Sequence, residues 1–253
     1  TGRRIIWGPS AVPNKLTNVT PKEMTKEEIK TLINAFGDAA LRAKKGGFDG
    51  VEIHGAHGYM LNTFLAPYFN QRTDEYGGSA GNRARILLEI YDDARSKTGN
   101  DFPVLMKLNC SDFMTDKGFT FEECKALCGT LAGKGIDAID ISGGPVFRAP
   151  KPDKDPSGFA EDFIGKESYF AGYAKEIADS IDAPVILVGG NRSVDVMEEI
   201  LNSSRIEYMA LGRPLLSEPD LVKKWERERG YKPRCTSCNK CFHEDGNDCD
   251  LDR

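Results

Sequence analysis

Two histidines and a tyrosine crowd into six residues, His54-Gly-Ala-His57-Gly-Tyr59, directly after the apolar run Phe48, Val51 and Ile53. All three side chains handle protons: imidazole changes charge near neutrality, and phenol keeps its proton until about pH 10. Two of the chain's three histidines stand here. A single histidine after a strand reads most simply as a hydrogen-bonded core or cap residue. A pair with a tyrosine points instead to a site.

A second group lies far along the chain. Val188-Gly189-Gly190-Asn191-Arg192 and Leu211-Gly212-Arg213-Pro214 are two glycine turns, each carrying an arginine. Backbone N–H groups at such turns attract anions, and a guanidinium adds paired donors. One such turn would serve only to let a strand bend into a helix; two of them suggest a phosphate site. Lys107 ends the apolar run Val104-Leu105-Met106, where a cation is costly unless it meets an anion or an electron-rich ring, or snorkels at a strand edge. Glu52 reads as a structural ion-pair partner, and the charges from Arg72 to Glu75 and at Arg83 and Arg85 as fixing a loop. Finally, Cys235-x2-Cys238-x2-Cys241-x7-Cys249 has metal-type spacing, suited to zinc or an iron–sulfur cluster, with His243 as a further ligand; unrelated thiols are the plain alternative.

The elements that must carry these groups follow a repeating pattern. Thr25 and Glu28 predict a capping box, and Ile29, Leu32, Ile33, Phe36, Ala39, Ala40 and Ala43 recur at helical spacing, giving a helix over 26–45. Strand 48–54 follows. The alternation continues with helix 80–98 and strand 103–108, helix 120–133 and strand 138–142, and helix 166–181 and strand 184–188. Helix 193–202, strand 208–211 and a last helix over 218–229 complete it, while residues 1–24 read as a surface loop. Near-continuous apolar strands alternating with helices predict a parallel α/β sheet buried on both faces. An open doubly wound sheet and a closed (β/α)8 barrel both satisfy that. No GxGxxG follows the first strand, and the polar or glycine-rich residues stand at the end of every strand, which is how a barrel assembles its site.

A net charge of −5 argues against nucleic acid or an anionic membrane as partner, and no apolar run approaches the roughly 20 residues needed to span a bilayer. No signal peptide is visible, and clustered rather than paired cysteines suit a reducing compartment, so a cytoplasmic location is expected.

The blocks HGAHGY, LNTFLAPYFNQRTDEYGGSAGNRAR, ILVGGNRS and MALGRPLLSEPDL closely resemble the Old Yellow Enzyme family of FMN-dependent ene-reductases, from about Gly8 to Pro233. The resemblance implies a TIM barrel that binds FMN at the C-terminal ends of its strands. It implies NAD(P)H as electron donor and the C=C bond of an activated alkene as acceptor. It casts His54 and His57 as the pair that hydrogen-bonds the substrate's carbonyl or nitro oxygen, and Tyr59 as the proton donor. Lys107 stands where the family usually has an arginine beside the flavin, and Gly189, Gly190, Gly212 and Arg213 match the cradle of the FMN phosphate.

The pattern departs from the family at both ends. The family's first three βα units would precede residue 1, Gly2-Arg3-Arg4 resembling the turn after the third strand. Five strands cannot close an eight-stranded barrel, so residues 1–233 are expected to form a partial barrel that needs a complementing N-terminal segment or a second copy as partner. Family members with an iron–sulfur domain, such as those like 2,4-dienoyl-CoA reductase, carry CxxCxxxC before a distant fourth cysteine. Here the cysteine-rich tail, 234–253, reads CxxCxxC. A truncated, non-catalytic fragment and a barrel enzyme that binds a phosphorylated substrate without flavin are the competing expectations.

Overall fold

The computed structural model describes residues 5–14, 18–114, 117–144, 166–238, 240–243, 246–249 and 251. The Gly2-Arg3-Arg4 turn lies outside them. The described chain begins with a short parallel pair, β1 (Trp7–Gly8) and β2 (Lys22–Glu23), where the sequence predicts only loop. Two-residue strands leave no periodic trace. Arg72 clasps this pair to the body: its Nη1 donates to the carbonyls of Pro9 (2.9 Å) and Met24 (2.6 Å), while Asp74 takes Nε and Nη2. The charged loop expected to fix itself therefore also fixes the entry segment.

Helix α1 (Lys26–Lys45) starts on the expected capping box, with Glu28 N–H donating to Thr25 Oγ1 at 3.2 Å and Thr25 N–H to the Glu28 carboxylate at 2.8 Å. Acidic residues open it and Arg42, Lys44 and Lys45 close it, matching the helix dipole at both ends. A short helix, α2 (Met60–Leu65), precedes α3 (Ala80–Thr98), capped by Ser79. Helices α1 and α3 pack together at Gly37, where a Cβ would stand 1.9 Å from Asp93 Oδ2.

Strands β3 (Val51–Gly55), β4 (Val104–Asn109), β5 (Ala138–Ser142), β6 (Val185–Leu187) and β7 (Ile206–Met209) form one parallel sheet in chain order. Between them run α4 (Phe121–Gly133), α5 (Ala171–Ser180) and α6 (Val194–Ser203), and after them α7 (Arg213–Ser217) and α8 (Leu221–Arg227). A doubly wound sheet reverses its strand order at a switch point. This sheet never reverses, so it is a stretch of barrel wall. One face, carrying Ile53, Met106, Leu108, Ile139, Ile141, Val185 and Leu187, is buried in the main core. On the other face His54 pairs in register with Lys107, and Lys107 with Asp140. Strand pairing thus brings three ionisable groups from distant stretches of sequence side by side.

Strand β3 starts at Val51 rather than 48, and three further boundaries differ from the periodicity for local reasons. Strand β7 starts at Ile206 rather than 208, because a register shift opposite Val185 and Ile186 accommodates Glu207 as an extra residue. Helix α5 starts at Ala171 rather than 166: Ser168 takes a left-handed φ of 47°, and its hydroxyl donates to Asn191 Oδ1 at 2.9 Å. The last helix starts at Leu221 rather than 218, because Glu218 ends the short helix α7 and its carboxylate turns inward to Lys224, Tyr231 Oη and the N–H of Arg234. Burial alone would raise this carboxyl, but those partners hold it down at about 2. The tail begins at that anchor and ends in an antiparallel pair, β8 (Phe242–His243) and β9 (Gly246–Asn247).

Candidate active site

Strand β3 ends at Gly55, which the sheet requires: a Cβ there would meet Lys107 O at 3.0 Å and the Leu87 and Leu108 side chains at 3.1 Å. The chain then turns through two left-handed residues, His57 (φ 59°) and Gly58 (φ 73°), into α2. This turn gathers the predicted side chains. The rings of His54 and His57 lie 5.1 Å apart and those of His54 and Tyr59 5.2 Å apart. Ser142, at the end of β5, holds His57 Nε2 at 2.6 Å. Burial, then the positive charge of Lys107, pushes the pKa of His54 below the ordinary histidine value, which favours its neutral form.

Lys107 stands between two carboxylates, in contact with Asp140 and 3.1 Å from Glu52. Burial opposes its charge, but Asp140 and then Glu52 outweigh that and hold its pKa above the usual lysine value. Burial in turn pushes the Asp140 carboxyl up to about 6, against the pull of Lys107, and Asp140 Oδ1 is buried without a hydrogen-bond partner. The cation at the strand end is therefore accommodated by anions, with Glu52 in its ion-pair role.

A cavity of about 160 Å³ joins the two ends of the predicted site. His57 and Ser142 line one side, Tyr169 and Phe170 another, and Gly189, Gly190, Gly212 and Arg213 the far end. Gly189 (φ 123°) and Gly190 (φ 76°) hold conformations that L side chains rarely adopt, and a Cβ on either would run into the Tyr169 ring at 2.8 Å. Asn191 ties this turn to the neighbouring strand end, donating to Leu187 O at 2.7 Å and Ala210 O at 3.0 Å. Arg213 donates to the Tyr169 hydroxyl at 3.3 Å. Glycine backbone, a guanidinium and a phenol at one end of a cavity fit the phosphate of a mononucleotide. The residues at that end therefore fit the phosphate of FMN, while Lys107 stands beside His54 on the neighbouring strand, paired with Asp140 and Glu52.

A larger, mainly apolar cavity of about 390 Å³ lies on the other side of the turn, between the β1 segment (Trp7, Val12, Val19) and Tyr59, Met60 and Phe69. In the tail, Cys235, Cys241 and Cys249 are buried and Cys238 is half-buried. Burial, then Cys235 and Cys238, push the Cys241 thiol up, Arg213 opposes this, and Cys249 adds to it. The other three thiols thus lie within electrostatic reach of Cys241, yet among the described residues no three metal-ligating side chains converge as an ion would require. The His243 side chain lies outside the described part. Arg192 links the tail to the glycine turn, donating to Ser237 Oγ at 2.9 Å and Gly190 O at 3.3 Å.

No motif in the sequence singles out Tyr169, Asn62 or Asp112. Asn62 sits in the apolar stretch Met60-Leu61-Asn62, where an uncompensated amide would be costly; that was its one visible signal.

Residues 7–231 match the NADH:flavin oxidoreductase / NADH oxidase family. The chain is 38% identical over 218 residues to an NADPH dehydrogenase of Clostridium acetobutylicum, covering 85% of this chain and 59% of that protein. It is 33% identical over 246 residues to a cinnamate reductase of Clostridium sporogenes, covering 94% of this chain and 37% of that one. Among solved structures it superposes on a 2-naphthoyl-CoA reductase with a TM-score of 0.76 at 29% identity, over 93% of this chain and 34% of the other. The chain therefore spans between about a third and three-fifths of the length of these relatives.

Proposed function

Since the chain belongs to the NADH:flavin oxidoreductase / NADH oxidase family, that of the Old Yellow Enzymes, we propose that it forms the catalytic face of an FMN-dependent oxidoreductase that draws on NAD(P)H and reduces the C=C bond of an activated alkene. One observation carries this reading. His57 lines the same cavity as Gly189, Gly190, Gly212 and Arg213, with His54 and Tyr59 packed beside it. Bound FMN would supply the hydride.

The chain's own residues have the following parts. Gly189, Gly190 and Gly212 offer backbone to the phosphate, and Arg213 offers its guanidinium. Lys107, which keeps an arginine's charge but not its planar fork, would have to share its ammonium between the flavin ring and the Asp140 and Glu52 carboxylates that already hold it. His54 and His57 donate hydrogen bonds to the substrate's carbonyl oxygen, which gains charge as the β-carbon is reduced. A neutral His54 can donate without adding a permanent charge. The Tyr59 hydroxyl delivers a proton to the α-carbon. The apolar cavity beside Tyr59 gives room for an uncharged substrate body. The tail cysteines would have to draw together to hold zinc or an iron–sulfur cluster, so no step is assigned to them; iron and zinc analysis of purified protein decides the matter.

The test is direct. Protein mixed with FMN and freed of excess by gel filtration should retain flavin absorbance. NAD(P)H should bleach that colour under anaerobic conditions, and cyclohex-2-enone should restore it. Protein that stays colourless after exposure to FMN would sink the proposal.

A further inference from the structure

The turn that carries His57 is held by three side chains that take no part in the chemistry described above. Asn62 of α2, Asn109 at the end of β4 and Asp112 just beyond it are all fully buried. Asn109 Oδ1 accepts the His57 N–H at 3.2 Å, and Asn62 Oδ1 accepts the Gly58 N–H at 2.7 Å. Both amides turn their NH2 groups to Asp112 Oδ1, Asn62 at 3.1 Å and Asn109 at 2.8 Å, and Asn109 also donates to Gly144 O at 2.9 Å. Asp112 Oδ2 accepts the N–H of Phe119 at 2.9 Å.

The order of control follows from donor chemistry. An ionised carboxylate only accepts, so each amide facing it must present nitrogen to it and oxygen to the other side. Asp112 thereby dictates which way both asparagines point. The outward oxygens catch two successive N–H groups of the turn. Those two bonds favour the left-handed conformation at His57, which a residue with a Cβ adopts at some cost. The conformation of His57 in turn sets its ring against Ser142 and beside His54. Burial raises the Asp112 carboxyl to about 6, against the pull of its Asn109, Phe119 and Asn62 donors; three N–H donors, two on Oδ1 and one on Oδ2, match an acceptor-only, ionised carboxylate.

We propose that Asp112, Asn62 and Asn109 are positioning residues for His57, a buried relay that fixes the turn by orienting two amides. The inference rests on the reading of His57 as a donor to the substrate oxygen. Its test uses Asp112→Asn and Asn109→Ala in the full chain loaded with FMN. Displacement of the histidine should lower kcat for enone reduction about 10- to 100-fold, as misplacement by about an ångström does. Flavin retention and the rate of flavin reduction by NAD(P)H should change less than twofold. Variants that bind FMN and keep the parent kcat would overturn the proposal. A second measurement on the unaltered protein serves if the variants do not fold: amide hydrogen exchange at His57 and Gly58. Protection comparable to that of β4 is expected, and exchange at the rate of an open loop would also overturn it. An unaltered protein that retains FMN but reduces no alkene would defeat the functional reading, and the exchange result would then decide the positioning by itself.

Discussion

The Tyr59 side chain is 64% exposed while its ring stays 5.2 Å from that of His54, so its hydroxyl is open to a ligand yet tied to the histidine pair. Tyr59→Phe removes the proton and little else. Enone reduction should slow about 10²- to 10⁴-fold, the usual weight of a general acid, with FMN binding and melting temperature unchanged; stopped-flow reoxidation of the reduced flavin measures it. Ser142 has a subtler part. For His57 to donate from Nδ1, its Nε2 must accept, and the Ser142 hydroxyl at 2.6 Å can supply that proton. Ser142→Ala releases the tautomer and should lower kcat about tenfold, the weight of one lost hydrogen bond of about 1.4 kcal/mol. An unchanged kcat would show that the ring orients itself. His54, His57 and Tyr59 were legible because they are close in sequence. The contacts that place them were not: Ser142 lies 85 positions from His57 and Asn109 lies 52, distances that periodicity does not register.

At the scale of elements, strand register creates the charged row. Lys107 meets Asp140 across β4 and β5, and the sequence showed only an isolated lysine in an apolar run. Lys107→Met leaves Asp140 buried and facing Glu52. Breaking a buried pair costs roughly 3–5 kcal/mol, and the partial exposure of Lys107 and Glu52 puts this case at or below the lower end. Asp140 already holds its proton more tightly folded than unfolded, and loss of the ammonium strengthens that hold. A raised folded-state pKa contributes stability at low pH that is lost as pH rises through it. The melting-temperature deficit of Lys107→Met should therefore be smaller at pH 5 than at pH 8, and an equal deficit at both would refute the role given to Asp140. Gly190 offers a second check. Alanine there meets Lys166 O at 2.7 Å, and a left-handed φ adds about 1–2 kcal/mol of strain. Gly190→Ala should weaken FMN binding and lower the melting temperature, whereas Gly172→Ala, in open space on α5, should do neither. The long helices and their caps were legible because their signals are local. Helix α2 was not, since six residues carry under two turns of period.

For the whole molecule the question is how the barrel wall ends. Among the described residues β3 pairs only with β4, and β7 only with β6. Each outer edge presents unpaired backbone donors and acceptors, the arrangement that invites another strand. Large apolar side chains stand near both edges: Phe48, just before β3, is 68% exposed and Tyr208, within β7, is 54% exposed. The row of Glu52, His54, Lys107 and Asp140 also lies on the face that does not pack against the helices. Relatives such as the NADPH dehydrogenase, of which this chain matches 59%, have further length from which such strands can come. If edge pairing stabilises this chain, its stability is linked to concentration by mass action. The melting temperature should then rise with protein concentration, and sedimentation velocity should show an associated species that dissociates on dilution. Tyr208→Lys places a charge on the β7 edge, a substitution that natural edges use to block pairing. It should shift the chain toward monomer without loosening the core, because Tyr208 is not among the buried core residues. A monomer at every concentration, with constant melting temperature and no response to Tyr208→Lys, would mean that the open edges of the described sheet are tolerated.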